Sequence, residues 1–518
     1  MSGRRITAGL AGAPESVDLV VVGLGVTGAG VALDAAARGL RVLAVDAWDL
    51  AWGTSRFSSK LVHGGLRYLA SGQVGVAHES AVERGVLMET TAPHLTRPVP
   101  TVVPLAAGVS RSVGALARGG LLAGDLLRRA AGTSADTLPG PRRLTAAETR
   151  RLVPGLRAEA LRGSLLGWDG QLEDDARLVT TLARTAAGLG AAVHTRARVL
   201  SASATEVALR DELTGATTTV RTRAVVNAAG VWAGSVADEV RLRPSRGTHL
   251  VLRGDALPGL DVVVYAPVPG GANRFVLVLP QPDGRVYVGL TDEPVDGPVP
   301  DVATPTEVEI GFLLDVVAAS FSRPVRRSDV VGAYAGLRPL LDGGDPGDPT
   351  ADLSRRHAVL TGRSGVVTIV GGKLTTYRRM AEDAVDAAVA GAGLAAGPCV
   401  TRTLPLAGAL PRPELAARIS RAATPGHARL LRRFGADADL VLDTAATATG
   451  LPEPDLVAPV DPAVPVTLAE LVFGVTHEGA ADADDLLDRR TRVGLVPADR
   501  VLAEPAAERA LTLTAARS

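Results

Sequence analysis

The segment from Asp18 to Asp46 limits the fold of this chain more than any other stretch. Leu19-Val20-Val21-Val22 is a short, uniformly apolar run suited to a buried strand. Gly23-Leu24-Gly25-Val26-Thr27-Gly28-Ala29-Gly30 follows, then a helical stretch to Arg38 with Gly39 as its natural C-cap. A second strand is expected from Leu40 to Val45, ending in Asp46, which completes a βαβ unit. Each small residue has a reason to be there. Gly23 permits the tight turn, Gly25 lets backbone approach a pyrophosphate, and Gly28 lets helix pack on strand. The helix N-terminus turns its partial positive charge toward the phosphates. Asp46, 18 residues beyond Gly28, is placed to accept from a ribose hydroxyl. A lone glycine pattern would be weak, but strand, glycines, helix, strand and acid in order point to a bound dinucleotide. The alternative is a Gly-rich turn without a ligand.

At 518 residues the chain exceeds the roughly 250 to 300 at which one core stops growing, so two or more domains are expected. A helix from Asp175 to Leu189 leads to a strand from Ala191 to Val199, a strand pair around Leu213-Thr214-Gly215, and a strand ending at Asn227. From Arg246 to Leu290 the pattern is extended and β-rich, with a hairpin turning at Pro282-Asp283-Gly284. A strand over Gly365 to Val370 then enters Gly371-Gly372-Lys373-Leu374-Thr375-Thr376 and a helix to about Ala390, aiming a second helix N-terminus at an electron-rich ligand. Beyond Pro398 the chain is rich in Ala, Arg and Leu, broken by a Pro-rich stretch from Leu451 to Val466, and reads as a separate helical domain.

Charge and cysteine content narrow the chemistry. Fifty-five basic residues balance 55 acidic ones, without the cationic excess of a nucleic-acid binder. The single cysteine, Cys399, excludes an intramolecular disulfide and a thiolate metal cluster, so no metal site is expected and redox chemistry must come from a cofactor. Met1 to Val17 lacks the apolar core of a signal peptide, and no run reaches the ~18 apolar residues of a membrane span, so a cytoplasmic or membrane-peripheral location is expected. Only two of the basic residues are lysines, Lys60 and Lys373, and the only asparagines are Asn227 and Asn273. In a chain that otherwise uses Arg, surviving lysines are candidates for chemistry a guanidinium cannot copy.

Sixteen residues crowd hydroxyls, Lys, His, glycines and Arg together: Gly53-Thr54-Ser55-Arg56-Phe57-Ser58-Ser59-Lys60-Leu61-Val62-His63-Gly64-Gly65-Leu66-Arg67-Tyr68. This block resembles the SSK-x-x-HGGLRYL hallmark of the FAD-dependent sn-glycerol-3-phosphate dehydrogenases of the aerobic, respiratory type. The resemblance runs through nearly the whole chain: Ala92-Pro93-His94-Leu95, Asn227-Ala228-Ala229-Gly230-Val231-Trp232, Arg246-Gly247-Thr248-His249, Ala335-Gly336-Leu337-Arg338-Pro339, Gly371 to Arg378, and Asp488-Arg489-Arg490-Thr491-Arg492. Departures include Leu24 between Gly23 and Gly25, where a third Gly is common, Asp46 where Glu is more frequent, Phe57 in the hallmark loop, and Ala229 where Thr is frequent. None removes a needed chemical group.

The resemblance implies an α/β fold: a Rossmann-like FAD-binding domain interleaved with a β-rich substrate domain, plus a C-terminal helical domain. The expected boundaries are 18–90, 160–240 and 340–398 for the first, 91–159 and 241–339 for the second, and 399–518 for the third. It implies FAD held by Gly23, Gly25, Gly28, Asp46, Thr54, Ser55, Ser59, Lys60, Gly230, Gly372, Leu374 and Thr375, and with no Cys or His beside the glycine turn to link the flavin the binding is expected to be noncovalent. It further implies oxidation of sn-glycerol 3-phosphate to dihydroxyacetone phosphate, with Arg338 and Arg355 on the phosphate and Arg67 positioning. His249 resembles the family's substrate-facing histidine and is the expected proton acceptor. His63 contacts the flavin or orients its loop, and Lys373 stabilises the reduced ring or the developing alkoxide. Electrons then pass to a membrane quinone in the respiratory reading, with Val109 to Ala131 as an interfacial amphipathic helix or an ordinary packed one. A soluble oxidase making peroxide, and a catalytically silent flavin-binding partner, are the alternatives; a homodimer is compatible with any of them.

The nucleotide unit carries its own test. Gly25→Val places a branched side chain where the pyrophosphate must lie, so the purified variant should be colourless while the parent is yellow and releases FAD on heating. Retention of FAD by the variant would overturn the placement.

Overall fold

The computed structural model describes residues 5–65, 73–106, 109–271, 274–342 and 356–515. A seven-stranded sheet runs in the order Thr7–Ala8, Ala192–Thr195, Val42–Val45, Leu19–Val22, Ala224–Asn227, Val367–Val370 and Ala358–Thr361. Every pairing is parallel except the last. Leu19–Val22 lies at its centre with all four residues buried, as an uninterrupted apolar run requires when both faces of a parallel strand are covered. The helices Val26–Ala37, Asp175–Gly188 and Tyr377–Ala392 share its core through residues such as Val31, Leu178, Leu182 and Val385.

The expected strand from Ala191 to Val199 is two strands. Arg196 adopts φ +55°, ending Ala192–Thr195 and starting Ala197–Ala202, which joins a small antiparallel sheet with Glu206–Asp211 and Thr217–Arg221. The break follows from what Arg196 holds: its amide donates to the Trp48 carbonyl at 2.8 Å, and its guanidinium reaches Asp482 at 2.6 Å and Asp485 at 2.9 Å.

A broad ten-stranded sheet packs beside the nucleotide sheet. Its middle is the hairpin expected at Pro282-Asp283-Gly284, formed by Phe275–Pro280 and Val286–Gly289. Ser245–Leu252 pairs antiparallel with Val286–Gly289 on one side and Val330–Arg338 on the other. Leu61–Val62 and Ser164–Leu172 also belong to this sheet, so it crosses the boundaries expected at 90 and 160. Ser164–Leu172 is drawn in because all its nine residues pair with Thr96–Pro104.

The third part is mainly helical, with Arg412–Ser420, Pro425–Phe434, Ala438–Thr449, Leu468–Glu478 and Pro497–Ala515 around a core of Leu430, Phe434, Leu471, Phe473 and Leu486. The Pro-rich stretch holds a short helix, Glu453–Val457, and the hairpin Pro459–Asp461 with Val464–Thr467. Buried ion pairs bind this part to the nucleotide sheet. Asp49, four residues past the end of Val42–Val45, accepts from Arg489 at 2.5 Å and from Arg490 at 2.8 Å, and all three side chains are buried. Arg177 pairs with Glu478, and Arg433 reaches Asp174 at 3.1 Å.

Burial opposes ionisation of Asp49, but Arg490 and Arg489 outweigh it and hold the carboxyl well below the usual range. A depressed native value means that its stabilisation is present above the ordinary carboxylate range and is lost as pH falls through the native value. Asp49→Ala leaves two buried guanidinium groups without this partner and should destabilise by about 3 to 5 kcal/mol. Urea denaturation at neutral pH checks this; an unchanged midpoint would refute it.

Candidate functional site

A cavity of about 460 Å³ opens where the carboxyl ends of the parallel strands meet the broad sheet. The first turn builds one wall. Gly23 has φ +95°, and a Cβ on it would lie 2.7 Å from the Ala228 carbonyl oxygen. Gly28 does not line the cavity; a Cβ there would lie 1.8 Å from the Gly23 carbonyl oxygen, so bare backbone lets the helix sit against the turn. Gly25, at the N-cap of Val26–Ala37, faces the cavity without a side chain. Ser55 Oγ accepts from the Val26 amide at 2.9 Å, which brings a hydroxyl to the helix N-terminus.

Asp46 lines the same cavity, held by amide donors from Leu24 at 2.7 Å and Trp48 at 2.9 Å. Burial pushes its carboxyl up to about 6, against those two amides. Bare backbone, a helix N-terminus and an anchored carboxylate in one cleft fit the pyrophosphate and ribose of FAD.

Thr54, Ser59, Gly230, Gly372, Leu374 and Thr375 line the cavity too. The Thr54 hydroxyl donates to the Leu337 carbonyl, fixing the hallmark loop to the broad sheet. Lys60 differs from the cofactor contact expected of it: its side chain is 2% exposed and turns away from the cavity. Its ammonium instead meets Asp175 at 3.1 Å, the Ser58 carbonyl at 2.7 Å and the Tyr334 hydroxyl at 3.2 Å, because a buried charge must find partners. Lys60 lines a second, polar cavity of about 110 Å³ beside Asp174, Arg433 and Arg492.

The other rare lysine faces the site. Lys373 lines the main cavity, and its ammonium donates to Ser80 Oγ at 2.6 Å. His63 lines it as well, followed by Gly64, whose amide donates to Asp169 at 3.0 Å. His249 and Arg338 enter from adjacent strands of the broad sheet. Arg338 donates to Ser245 Oγ at 3.1 Å, Asp292 at 3.3 Å and the Thr291 carbonyl at 3.0 Å. Two glycines clear their space: a Cβ on Gly247 would lie 2.3 Å from the Arg338 guanidinium, and one on Gly289 would lie 2.2 Å from the His249 ring. Arg67 and Arg355 lie outside the described residues.

His249 is 2% exposed, with Nε2 at 2.8 Å from Ser59 Oγ and its ring stacked on Tyr334 at 4.8 Å. Burial first, then the cations of Lys60, Arg338 and Arg492, hold its imidazole well below the usual value, so it is neutral at neutral pH. A neutral imidazole in a cavity beside cations is equipped to take a proton and to release it readily.

Ser80, Tyr334, Trp48 and Trp52 carry no expectation from the sequence, and Trp232 stands there only within a matching block. Ser80 and Tyr334, which hold Lys373 and stack on His249, carry no local signal. Trp48, Trp52 and Trp232 line the cavity, the first two stacked at 5.1 Å. They are three of only four tryptophans in the chain, so the scarcity that singles out Lys373 would have found them. Scarcity misleads at Asn227, which is buried outside the cavity wall and donates to the Ala233 carbonyl at 2.9 Å, fixing the turn that carries Gly230.

Comparison with known proteins agrees with this architecture. Residues 18–378 match the model of the FAD dependent oxidoreductase family, and residues 399–517 that of the C-terminal domain of alpha-glycerophosphate oxidase. Glycerol-3-phosphate dehydrogenase 1 of Mycobacterium tuberculosis is 51% identical over 94% of this chain and 93% of its own. The mitochondrial glycerol-3-phosphate dehydrogenase SDP6 of Arabidopsis thaliana is 34% identical over 94% of this chain and 81% of its own. The crystal structure of the Bacillus halodurans glycerol-3-phosphate dehydrogenase complexed with FAD is 27% identical, with a TM-score of 0.73 over 98% of this chain and 95% of that one. The cofactor is FAD, and the chain belongs to the glycerol-3-phosphate dehydrogenase family of FAD-dependent oxidoreductases.

Proposed function

We propose that this chain oxidises sn-glycerol 3-phosphate to dihydroxyacetone phosphate and passes the electrons to a membrane quinone. One observation carries the reading: neutral His249, Arg338 and Lys373 share a cavity with the bare backbone of Gly23 and Gly25. When bound, FAD supplies a two-electron acceptor for the hydride that leaves substrate C2. His249 takes the C2 hydroxyl proton on its imidazole, whose orientation is fixed by Ser59 Oγ at 2.8 Å from Nε2 and by stacking on Tyr334. Arg338 presents its planar fork to the phosphate, oriented by Asp292 and Ser245. Lys373, anchored by Ser80, supplies a compact positive charge where the alkoxide develops.

The quinone as acceptor is supported by the helix Arg111–Ala130. It exposes Leu116, Leu122 and Leu126 together with Arg111, Arg118 and Arg129, an apolar and cationic combination suited to lying on an anionic membrane surface. Among the described residues no helix is long and apolar enough to cross a membrane. Anaerobic substrate should bleach the flavin, and a soluble quinone should restore its colour faster than air does. Rapid reoxidation by air with stoichiometric peroxide would favour the oxidase; no bleaching would leave a silent flavoprotein.

Arg338→Ala should raise KM for the phosphate ester about ten- to a hundredfold, the equivalent of one charge-assisted contact of about 1.5 to 3 kcal/mol, with flavin content little changed. Equal activity on glycerol and its phosphate ester would refute the assignment. His249→Asn keeps a hydrogen-bonding side chain but takes no proton at neutral pH, so rapid-mixing flavin reduction should slow by about 10² to 10⁴. A near wild-type rate would move the role to His63 or to bound water.

A further inference from the structure

The loop beside His249 contains a charge that the proposed chemistry does not use. Lys60 sits at φ +58°, a backbone conformation rarely adopted by a residue with a side chain, and its ammonium is buried. The ammonium lies 4.4 Å from the centre of the Tyr334 ring and 3.2 Å from its hydroxyl. That same ring stacks on the imidazole of His249. One residue before Lys60, Ser59 touches His249 Nε2. Asp175 fixes both sides of this arrangement, pairing with Lys60 at 3.1 Å and accepting from the Ser58 amide at 3.0 Å and hydroxyl at 2.7 Å.

We propose that Lys60 is a positioning residue for proton transfer at His249: it anchors the loop that holds Ser59 against Nε2, and its charge, carried past Tyr334, governs when the imidazole accepts a proton. The inference rests on His249 as the proton acceptor. In that step the C2 hydroxyl proton would go to the imidazole while the electron pair of the C2–H bond leaves with its hydrogen as hydride, for which bound FAD would be the two-electron acceptor.

The surrounding charges set the direction. His249 is faced by Lys60 from the loop, by Arg338 and Tyr334 from Val330–Arg338, and by Arg492 from the C-terminal part. Lys60 is faced by Asp174 and Asp175 at the start of Asp175–Gly188, by Tyr287 and Tyr334, and by Arg492. Burial, with Arg492 adding to it, lowers the ammonium to about 7 despite Asp175. Among the cations around His249, Lys60 weighs most. Replacing it with a neutral side chain therefore makes the imidazole easier to protonate. Asp175 does not lose its only counter-charge in such a variant, since Arg492 still pairs with it.

The test uses holoenzyme with labelled histidine, the His249 signal being identified by its absence in His249→Asn. In Lys60→Gln, which keeps hydrogen-bond donors for Ser58 and Tyr334, the His249 imidazole should titrate about one pH unit higher than in the parent. The acid limb of anaerobic flavin reduction should rise with it, while FAD content is retained. Lys60→Arg, which keeps the charge, should leave the titration near that of the parent. If Lys60→Gln does not fold, Lys60→Met reads the same shift. An unmoved titration in the neutral variant, or equal loss of FAD and activity with the parent pH profile, overturns the inference. A near wild-type reduction rate in His249→Asn instead overturns the proton-acceptor reading on which it rests.

Discussion

Two adjacent carboxylates, Asp174 and Asp175, tie the three parts of the molecule together. Asp174 caps its helix by accepting from the amides of Ala176 at 2.9 Å and Arg177 at 3.2 Å, where the helix dipole also favours a negative charge. Arg433 and Arg492 of the C-terminal part converge on the same pair, and Asp175 continues to Ser58 and Lys60 beside the cavity. Burial opposes ionisation of Asp175, but Arg492 and Lys60 outweigh it and hold the carboxyl below its usual range. Charges so enclosed are tolerated because each acid has more than one cationic partner, Asp174 with Arg433 and Arg492 and Asp175 with Arg492 and Lys60, so that losing one contact weakens the set without orphaning either acid.

The cavity arises at a seam between two kinds of sheet. The parallel sheet contributes strand ends and bare turns, which suit a long anionic cofactor; the antiparallel sheet contributes side chains at fixed register, which suit a small substrate. His249 lies opposite Tyr334 on one neighbour and Gly289 on the other, while Arg338 lies opposite Ser245. Because side chains alternate along a strand, slipping this pairing by one residue would turn His249 to the opposite face.

What the sequence displays and what it conceals divide along this seam. The unit from Leu19 to Asp46 is legible because its constraints are local: a strand, a turn that a Cβ would obstruct, a helix and an acid within thirty residues. The hairpin at Pro282-Asp283-Gly284 is legible for the same reason. Long-range pairings are not: nothing within Ser164–Leu172 says that its partner is Thr96–Pro104, and nothing at Arg196 announces the acids of Asp482 and Asp485 nearly 300 positions away. The two lysines show the limit of the scarcity argument. It marks both as unusual, yet only the fold distinguishes Lys373, which faces the cavity, from Lys60, which faces Asp175.

The clasp at Asp49 also has a consequence for biosynthesis. Its guanidinium partner Arg489 lies 440 positions further along the chain. At a synthesis rate of about 5 to 20 residues per second, roughly 20 to 90 s separate the emergence of the acid from that of its counter-ion. The sheet itself is complete only once Val367–Val370 has emerged, and from then until Arg489 follows it holds a carboxylate without these guanidinium partners, so this edge must stay wet. Final closure of the molecule is therefore timed by its last domain, since a chain that ends before Arg489 lacks both guanidinium partners of Asp49.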